Sequence, residues 1–190
     1  GQAERTGLDL AAAARAVPNL SSSLQITSGT ASIHAAYSAV QGQQGWLWAI
    51  NDLGAQIQTL AARVGAAAVQ WQSLKLDGAK IDGAKRTVSM QSLSLDGLSA
   101  ASGSDQLQFH TAQLQGGQLD WARQHAGFGP LRVQDISGQI GQAALQAGSL
   151  QTQPGTVDLA QRTLQLPQIT LQNSQLRAEV PQAAPWLSLP

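Results

Sequence analysis

Three stretches, each starting 19 residues after the last, decide how the fold is read: Val69-Gln70-Trp71-Gln72-Ser73-Leu74-Lys75-Leu76-Asp77-Gly78, Val88-Ser89-Met90-Gln91-Ser92-Leu93-Ser94-Leu95-Asp96-Gly97 and Leu107-Gln108-Phe109-His110-Thr111-Ala112-Gln113-Leu114-Gln115-Gly116. Hydrophobes stand at positions 1, 3, 6 and 8 of each window, glycine at 10, and a hydroxyl (Ser73, Ser92, Thr111) at 5. Alternation at spacing two is the pattern of a strand with one buried face. The step of three between positions 3 and 6 would flip that face unless an extra residue is absorbed. A β-bulge at positions 4 and 5 absorbs it and bends the strand. Asp-Gly or Gln-Gly then predicts a turn, where glycine accepts positive φ. Each unit thus reads as a bent strand, a turn and a shorter return strand, with Ile81 and Leu119 at matching positions in the return segments.

The pattern recurs less regularly at Trp48, Ile50, Leu53 and Ala55, and at Leu164, Leu166, Ile169 and Leu171. A longer match joins Ile81-Asp82-Gly83-Ala84-Lys85-Arg86-Thr87-Val88 to Val157-Asp158-Leu159-Ala160-Gln161-Arg162-Thr163-Leu164. Both run straight into a strand motif. Asp82 with Arg86, and Asp158 with Arg162, are placed to pair across a hairpin, a solvated pairing that contributes little to stability.

Outside the repeat, Leu8 to Val17 is alanine-rich and stopped by Pro18, which predicts a short helix. Leu24, Ile26 and Ile33 around Ser28-Gly29 predict a hairpin, and Trp46 and Trp48 fall on one face of a short strand. Asp52 to Gly65 fits a capped helix by Ile57, Leu60, Ala61 and Val64, but Leu53, Ala55 and Ile57 alternate, which favours strand. A turn is expected over 64–68, a strand and turn over 131–140, and a Pro-Gly turn over 151–155. Pro181 and Pro185 mark an exit into loop. No charge run or long Gly/Ser tract divides the 190 residues, so they read as a single repetitive β domain. With no initial Met and an interrupted pattern at its close, the sequence is expected to be a piece of a longer protein.

Composition narrows the function. Eleven Lys+Arg balance eleven Asp+Glu, which removes the basic footprint of a nucleic-acid binder. Charged residues make up 12%, about half the usual share, and Gln, Ser and Thr supply the polarity instead. Cysteine is absent, so the chain has no disulfide, thiolate nucleophile or Cys-ligated metal. The 43% apolar share is enough to bury a core. No apolar run approaches the ~20 residues of a membrane span.

The chain carries none of the motifs of nucleophile elbows, phosphate loops, zinc proteases or dinucleotide folds. His34, His110 and His125 are not at metal-ligand spacing, and His110 takes the slot of Gln72 and Gln91. Asp77-Gly78, Asp82-Gly83 and Asp96-Gly97 read as turn chemistry rather than calcium rungs. Trp71 shares its slot with Met90 and Phe109 and reads as a large buried anchor; Trp121 follows a return strand; Trp186 has no assigned role. These residues point to a non-enzymatic protein with no cofactor and no metal.

The repeated Leu-x-Leu-x-Gly, Ile/Val-Asp, Arg and Leu-x-Leu-x-Gly elements, clearest over Leu74 to Gly97 and partial over Thr156 to Leu171, resemble the AsmA-like superfamily of bacterial envelope proteins. Within it they are most similar to the branch catalogued as domain of unknown function 748. The short helix ending at Pro18 and the Leu24-x-Ile26-Thr27-Ser28-Gly29 entry are similar to the opening of these domains. The resemblance implies a curved antiparallel sheet meander, folded like a taco around an open apolar groove. It implies a periplasmic location, with an N-terminal anchor in the inner membrane. It further implies a part in envelope biogenesis and outer-membrane assembly, and in moving phospholipid or another envelope lipid between membranes.

The groove or core candidates are Val69, Trp71, Leu74, Leu76, Val88, Met90, Leu93, Leu95, Leu107, Phe109 and Leu114. Whether they enclose a dry core or hold acyl chains stays open at the level of sequence. Exposed sheet edges are expected to join adjoining β domains or an envelope partner. The alternative is a β-solenoid of 19-residue rungs from a secreted adhesin. A solenoid should keep its period along the chain, whereas the sequence shows it only from Val69 to about Gly116.

Overall fold

The structure is a computed structural model and describes residues 1–16, 24–42 and 45–178. In chain order the elements are β1 (Gln2–Asp9), α1 (Leu10–Ala16), β2 (Leu24–Gly42), β3 (Gly45–Val64), β4 (Ala67–Asp82), β5 (Thr87–Ser102), β6 (Asp105–Asp120), β7 (His125–Phe128), β8 (Leu131–Ile140), β9 (Ala143–Thr152), β10 (Gly155–Asp158), β11 (Thr163–Gln165) and β12 (Ile169–Ala178). The strands form one open twelve-stranded sheet in which every pairing is antiparallel. Solenoid rungs pair in parallel, so that alternative is excluded.

The sheet is simpler than a count of twelve suggests. β7 and β8 lie on β6 in one continuous register, from Asp120↔His125 and Gly117↔Phe128 to Leu114↔Leu131 and Gln106↔Gln139. Hydrogen bonds carry the ladder across the gap: Gly129 N–H donates to Gly116 C=O at 3.0 Å, and Gln115 N–H to Pro130 C=O at 3.2 Å. β9 with β10, and β11 with β12, continue the same way. Pro130, Pro154 and Pro167 sit in the gaps because proline has no N–H for the ladder. The Pro-Gly turn expected over 151–155 is therefore not a turn; the chain runs straight on.

Each course from β4 onward carries three pairs of inward positions, most of them hydrophobic but with Gly117, Gly138, Thr152, Gly155 and Ser174 among them. In β4 these are Val69 and Trp71, Leu74 and Leu76, then Ala79 and Ile81. One extra residue lies between successive pairs, so each course switches face twice. The first switch falls at positions 4 and 5, but it is not the expected bulge, because the partner strand carries its own extra residue at the same line and the register does not shift. The second falls at the glycine of position 10, which lies inside the strand rather than at its end. Gly78, Gly97 and Gly116 have φ of 59°, 64° and 74° within β4, β5 and β6. The supposed return strands are the continuation of the same strand.

Left-handed backbone recurs at this spacing well beyond the region of sequence identity. Thr59, Gly78, Gly97, Gly116, Asp135 and Asn173 all have positive φ and lie on one 19-residue count, on which only Pro154 departs. The period does not lapse at Gly116; only its side-chain signature does. Neighbouring courses place their extra residues on shared lines, so the register never shifts from β4 to β12.

The ends of the courses alternate between two turn types. Two-residue turns open with Gly65, Gly103 and Gly141 at φ of 60°, 60° and 57°, the glycine-first form that suits the strand twist. Four-residue turns occupy 83–86, 121–124 and 159–162. Each follows an aspartate whose Oδ1 accepts the third turn residue's N–H: Asp82 from Lys85 at 2.9 Å, Asp120 from Arg123 at 2.9 Å and Asp158 from Gln161 at 2.8 Å. Each closes on a left-handed residue, Arg86, Gln124 or Arg162. The Asp82–Arg86 and Asp158–Arg162 pairs are not made. These aspartates hold turn backbone, and Asp82 meets Lys85 Nζ at 3.4 Å instead.

At the N-terminal side, Leu8 and Asp9 end β1, and the helix covers Leu10–Ala16, with Asp9 Oδ1 accepting Ala12 N–H at 3.0 Å as its cap. The hairpin expected at Ser28-Gly29 is absent. β2 runs through it with register shifts on β3 between Ile26 and Thr30. The segment over 53–64 is strand, and Trp46 and Trp48 belong to a course of 20 residues. Pro18, Pro181, Pro185 and Trp186 lie outside the described residues.

The left-handed sites should separate residue types sharply. Gly97→Val should lower stability by about 1–2 kcal/mol, since a side chain in left-handed backbone costs that much. Gly97→Asn should cost less, because asparagine tolerates the conformation Asn173 already adopts. Urea denaturation of the two variants measures the difference; equal losses would refute the backbone explanation. The Asp82 carboxyl is held below the ordinary carboxylate range, chiefly by the Lys85 N–H; desolvation opposes this, and the Lys85 ammonium and Ala84 N–H lower it further. The stability it contributes is complete above the ordinary aspartate value of about 3.9 and disappears as pH falls through the lower folded value. An NMR titration of the Asp82 side chain should therefore show a depressed midpoint.

Candidate functional site

The inward hydrophobes of adjacent courses meet as cross-strand partners, which assembles them into one apolar face. Leu74 pairs with Leu95, Leu76 with Leu93, Leu93 with Leu114, Leu98 with Phe109 and Ala100 with Leu107. Antiparallel order also redistributes the sequence repeat. Trp71 and Phe109 fall towards the two-residue turns, whereas Met90, in the same sequence slot, lies near the four-residue turns opposite Gly117.

Little covers this face. The buried hydrophobes among the described residues are Ala31, Leu60, Ala62, Ala79 and Ala147, four of them alanines. Among the described residues no large side chain is fully buried. A two-layer domain of this length would bury many. Helix α1 shields only a corner, where Leu10 and Leu60 approach Gly29. Trp71, expected to be buried, is half-buried, with an indole N–H that has no hydrogen-bond partner.

The face deepens near the four-residue turns. A concavity of about 350 Å³ is lined by Leu53, Leu76, Ala79, Ile81, Val88, Met90, Leu119, Ala126 and Phe128, with the backbone of Gly117 and Gly127 and with Ser89 and Gln118 at its margin. Its shape follows from side-chain size along one row of the sheet, where Met90 stands opposite Gly117 and Gly117 opposite Phe128. A Cβ at Gly117 would lie 2.6 Å from Met90 Cε, and one at Gly155 2.5 Å from the Phe128 ring. Small residues thus form the floor, and Met90 and Phe128 stand over it.

Of the candidates from sequence, Leu76, Val88 and Met90 line this concavity. Val69, Trp71, Leu74, Leu93, Leu95, Leu107, Phe109 and Leu114 lie on the same face beyond it. Ala79, Leu119, Ala126 and Phe128 were not among the candidates. The signal for the latter two existed, since they stand 38 residues after Val88 and Met90, but Ala126 is small and the second four-residue turn, Trp121-Ala122-Arg123-Gln124 after Asp120, shares little sequence with the others.

A larger hollow of about 450 Å³ lies across β1, β2 and β3, bordered by Gln2, Glu4, His34 and Asp52 with three alanines. The His34 ring lies against Gly54, where a Cβ would collide with it. Glu4 and His34 are cross-strand partners, but they form no ion pair with each other. No group of three His, Cys, Asp or Glu side chains among the described residues could hold a metal ion. This hollow brings together no nucleophile and base, so the apolar concavity is the better candidate site. No helix among the described residues is long and apolar enough to cross a membrane.

Compared with known proteins, the chain matches no protein-family model and no curated relative.

The shape argument is testable by filling the floor. Gly117→Leu should remove most of the concavity while leaving the sheet folded, because the atom it meets first is the flexible end of Met90. Leu60→Ala, at 6% exposure, should instead cost about 2–3 kcal/mol. Thermal denaturation of both variants tests the contrast; a fully unfolded Gly117→Leu chain would contradict it.

Proposed function

We propose that the chain is part of a non-enzymatic, periplasmic envelope-biogenesis protein whose apolar sheet face shields lipid acyl chains. The observation that carries this reading is the uncovered apolar face with its concavity of about 350 Å³. That volume falls at the lower end of ligand pockets, roughly 300–1,000 Å³. Its lining supplies hydrophobes and almost no polar groups, which suits a hydrocarbon tail and gives little purchase on a polar substrate. Each methylene withdrawn from water into it contributes about 0.8 kcal/mol.

The resemblance to the AsmA-like superfamily adds the compartment, the inner-membrane anchor in the full-length protein and the transport of phospholipid or another envelope lipid. The sheet format supports the reading in a second way. The outer edge is formed by β11 and β12, where Leu164, Ile169, Leu171 and Leu176 are 59%, 55%, 46% and 73% exposed. An added β domain of the same protein, or an envelope partner, would carry the apolar face onward across that edge.

Native mass spectrometry after gentle purification, together with uptake of a spin-labelled phospholipid from vesicles, tests this function. Bound lipid and uptake are expected, and Val88→Asp with Leu119→Asp should abolish both while the circular dichroism of the sheet is kept. A lipid-free spectrum with no uptake would refute the reading for these residues. The full-length gene should encode an inner-membrane anchor ahead of this segment; an outer-membrane secretion signal there would refute the compartment.

A further inference from the structure

The two rims of the sheet differ in charge. The two-residue turns are Gly65-Ala66, Gly103-Ser104 and Gly141-Gln142 and carry no cation. The four-residue turns carry Lys85, Arg86, Arg123 and Arg162, all exposed. In a chain with eleven Lys+Arg and no net charge, this places four cations in three short turns. Asp82, Asp120 and Asp158 beside them each accept a turn N–H, and against these three carboxylates the four cations leave one positive charge in excess. Lys85 and Arg123 also reach Asp82 and Asp120, at 3.4 Å and 3.7 Å. Arg86 and Arg162 have no ion-pair partner among the described residues.

This rim is ordered by its backbone. Gly83 N–H donates to Trp48 C=O at 3.2 Å, Trp121 N–H to Arg86 C=O at 3.1 Å and Leu159 N–H to Gln124 C=O at 2.8 Å. The ladder thus extends from strand into turn, so consecutive turns are stitched side by side. Trp48, Trp121 and Leu159 stand exposed along this rim, at 49%, 37% and 51%. The apolar concavity begins one residue inside these turns: Ile81 and Val88 flank Asp82 and Thr87, and Leu119 and Ala126 flank Asp120 and His125.

We propose that the four-residue-turn rim is the head-group side of the groove, taking the anionic head of an amphiphile whose tail lies in the concavity. This rests on the acyl-chain reading above and adds the class of head group. Charge complementarity selects the anionic head. Arg86 and Arg162, which precede β5 and β11 about 19 Å apart along the rim, each offer a planar donor fork that matches the phosphate or carboxylate oxygens of one head. Trp121, beside Arg86, and Leu159 carry apolar surface outward to the level of the head, an arrangement suited to an interface between hydrocarbon and water.

Calorimetric titration of the full chain with dodecyl phosphate, dodecyl maltoside and inorganic phosphate, below micelle-forming concentrations, tests it. Dodecyl phosphate should bind roughly twofold to fivefold more tightly than the maltoside at low salt, the scale of one exposed charge pair. The preference should shrink at high salt. It should vanish in the Arg86→Gln, Arg162→Gln double variant, which keeps its maltoside affinity, and persist in an Arg63→Gln, Arg132→Gln control with the same change in charge. Equal binding of the two amphiphiles, or equal loss in the control, would overturn the rim assignment and leave the groove standing. Failure of both amphiphiles would overturn the groove itself. Inorganic phosphate binding as tightly as dodecyl phosphate would remove the tail from the proposal.

Discussion

Two extra residues in every course from β4 onward, set on the same two lines across the sheet, are the constraint on which the rest of this structure depends. A single extra residue sends every later side chain to the wrong face. Here the neighbouring strand carries its own extra residue at the same line, so register is kept and all strands switch together. Left-handed residues mark the switches, and Gln72 and Gln91 lie over Gly97 and Gly78 where any Cβ would crowd them. Inside the sheet the inward pattern reads nearly the same in both chain directions. Each strand can therefore meet an antiparallel neighbour with hydrophobe against hydrophobe.

The consequence is an apolar face wide enough to form but left largely bare. Its most buried positions are mostly alanines, so the sheet gains less from burial than a sandwich would. What holds it is the ladder itself, continued even through Pro130 by its carbonyl, with cross-strand leucine pairs along the middle. The concavity arises within this plan from residue size alone, with glycine and alanine where Met90 and Phe128 need room. Loss of side-chain volume at the floor is thus tied to the site and not to the fold.

The turns give the two rims different chemistry for reasons that begin with local geometry. A two-residue turn needs glycine first and has no space for long side chains that reach one another. A four-residue turn needs an aspartate to hold its third N–H, and that leaves the intervening positions free. Those positions hold Trp121, Leu159 and the cations. Four of the eleven cations thus fall in twelve turn residues, where the backbone requirement is loosest.

Much of the fold was legible in the sequence, because period-two alternation and left-handed glycine have direct local causes. Strand, face switch and one-sided burial followed from Val69 to Gly116, but not the bulge, since the neighbouring strand switches at the same line. The glycine was misread as a turn because a positive φ serves a mid-strand face switch as well as a chain reversal, and only the partner strand distinguishes them. The same holds for Pro154-Gly155, which interrupts a ladder without reversing it. Beyond Gly116 the period became invisible, since Asp135 and Asn173 adopt the conformation without being glycine. The sequence by itself determined which residues alternate, where the backbone must turn left-handed and that the chain is poor in charge. Tertiary structure alone decided which end of the sheet each repeat slot reached. Antiparallel neighbours reverse direction, so Met90 parts from Trp71 and Phe109 and joins Leu119 and Phe128. No spacing along the chain encodes that exchange, because it is made by hydrogen bonds between strands.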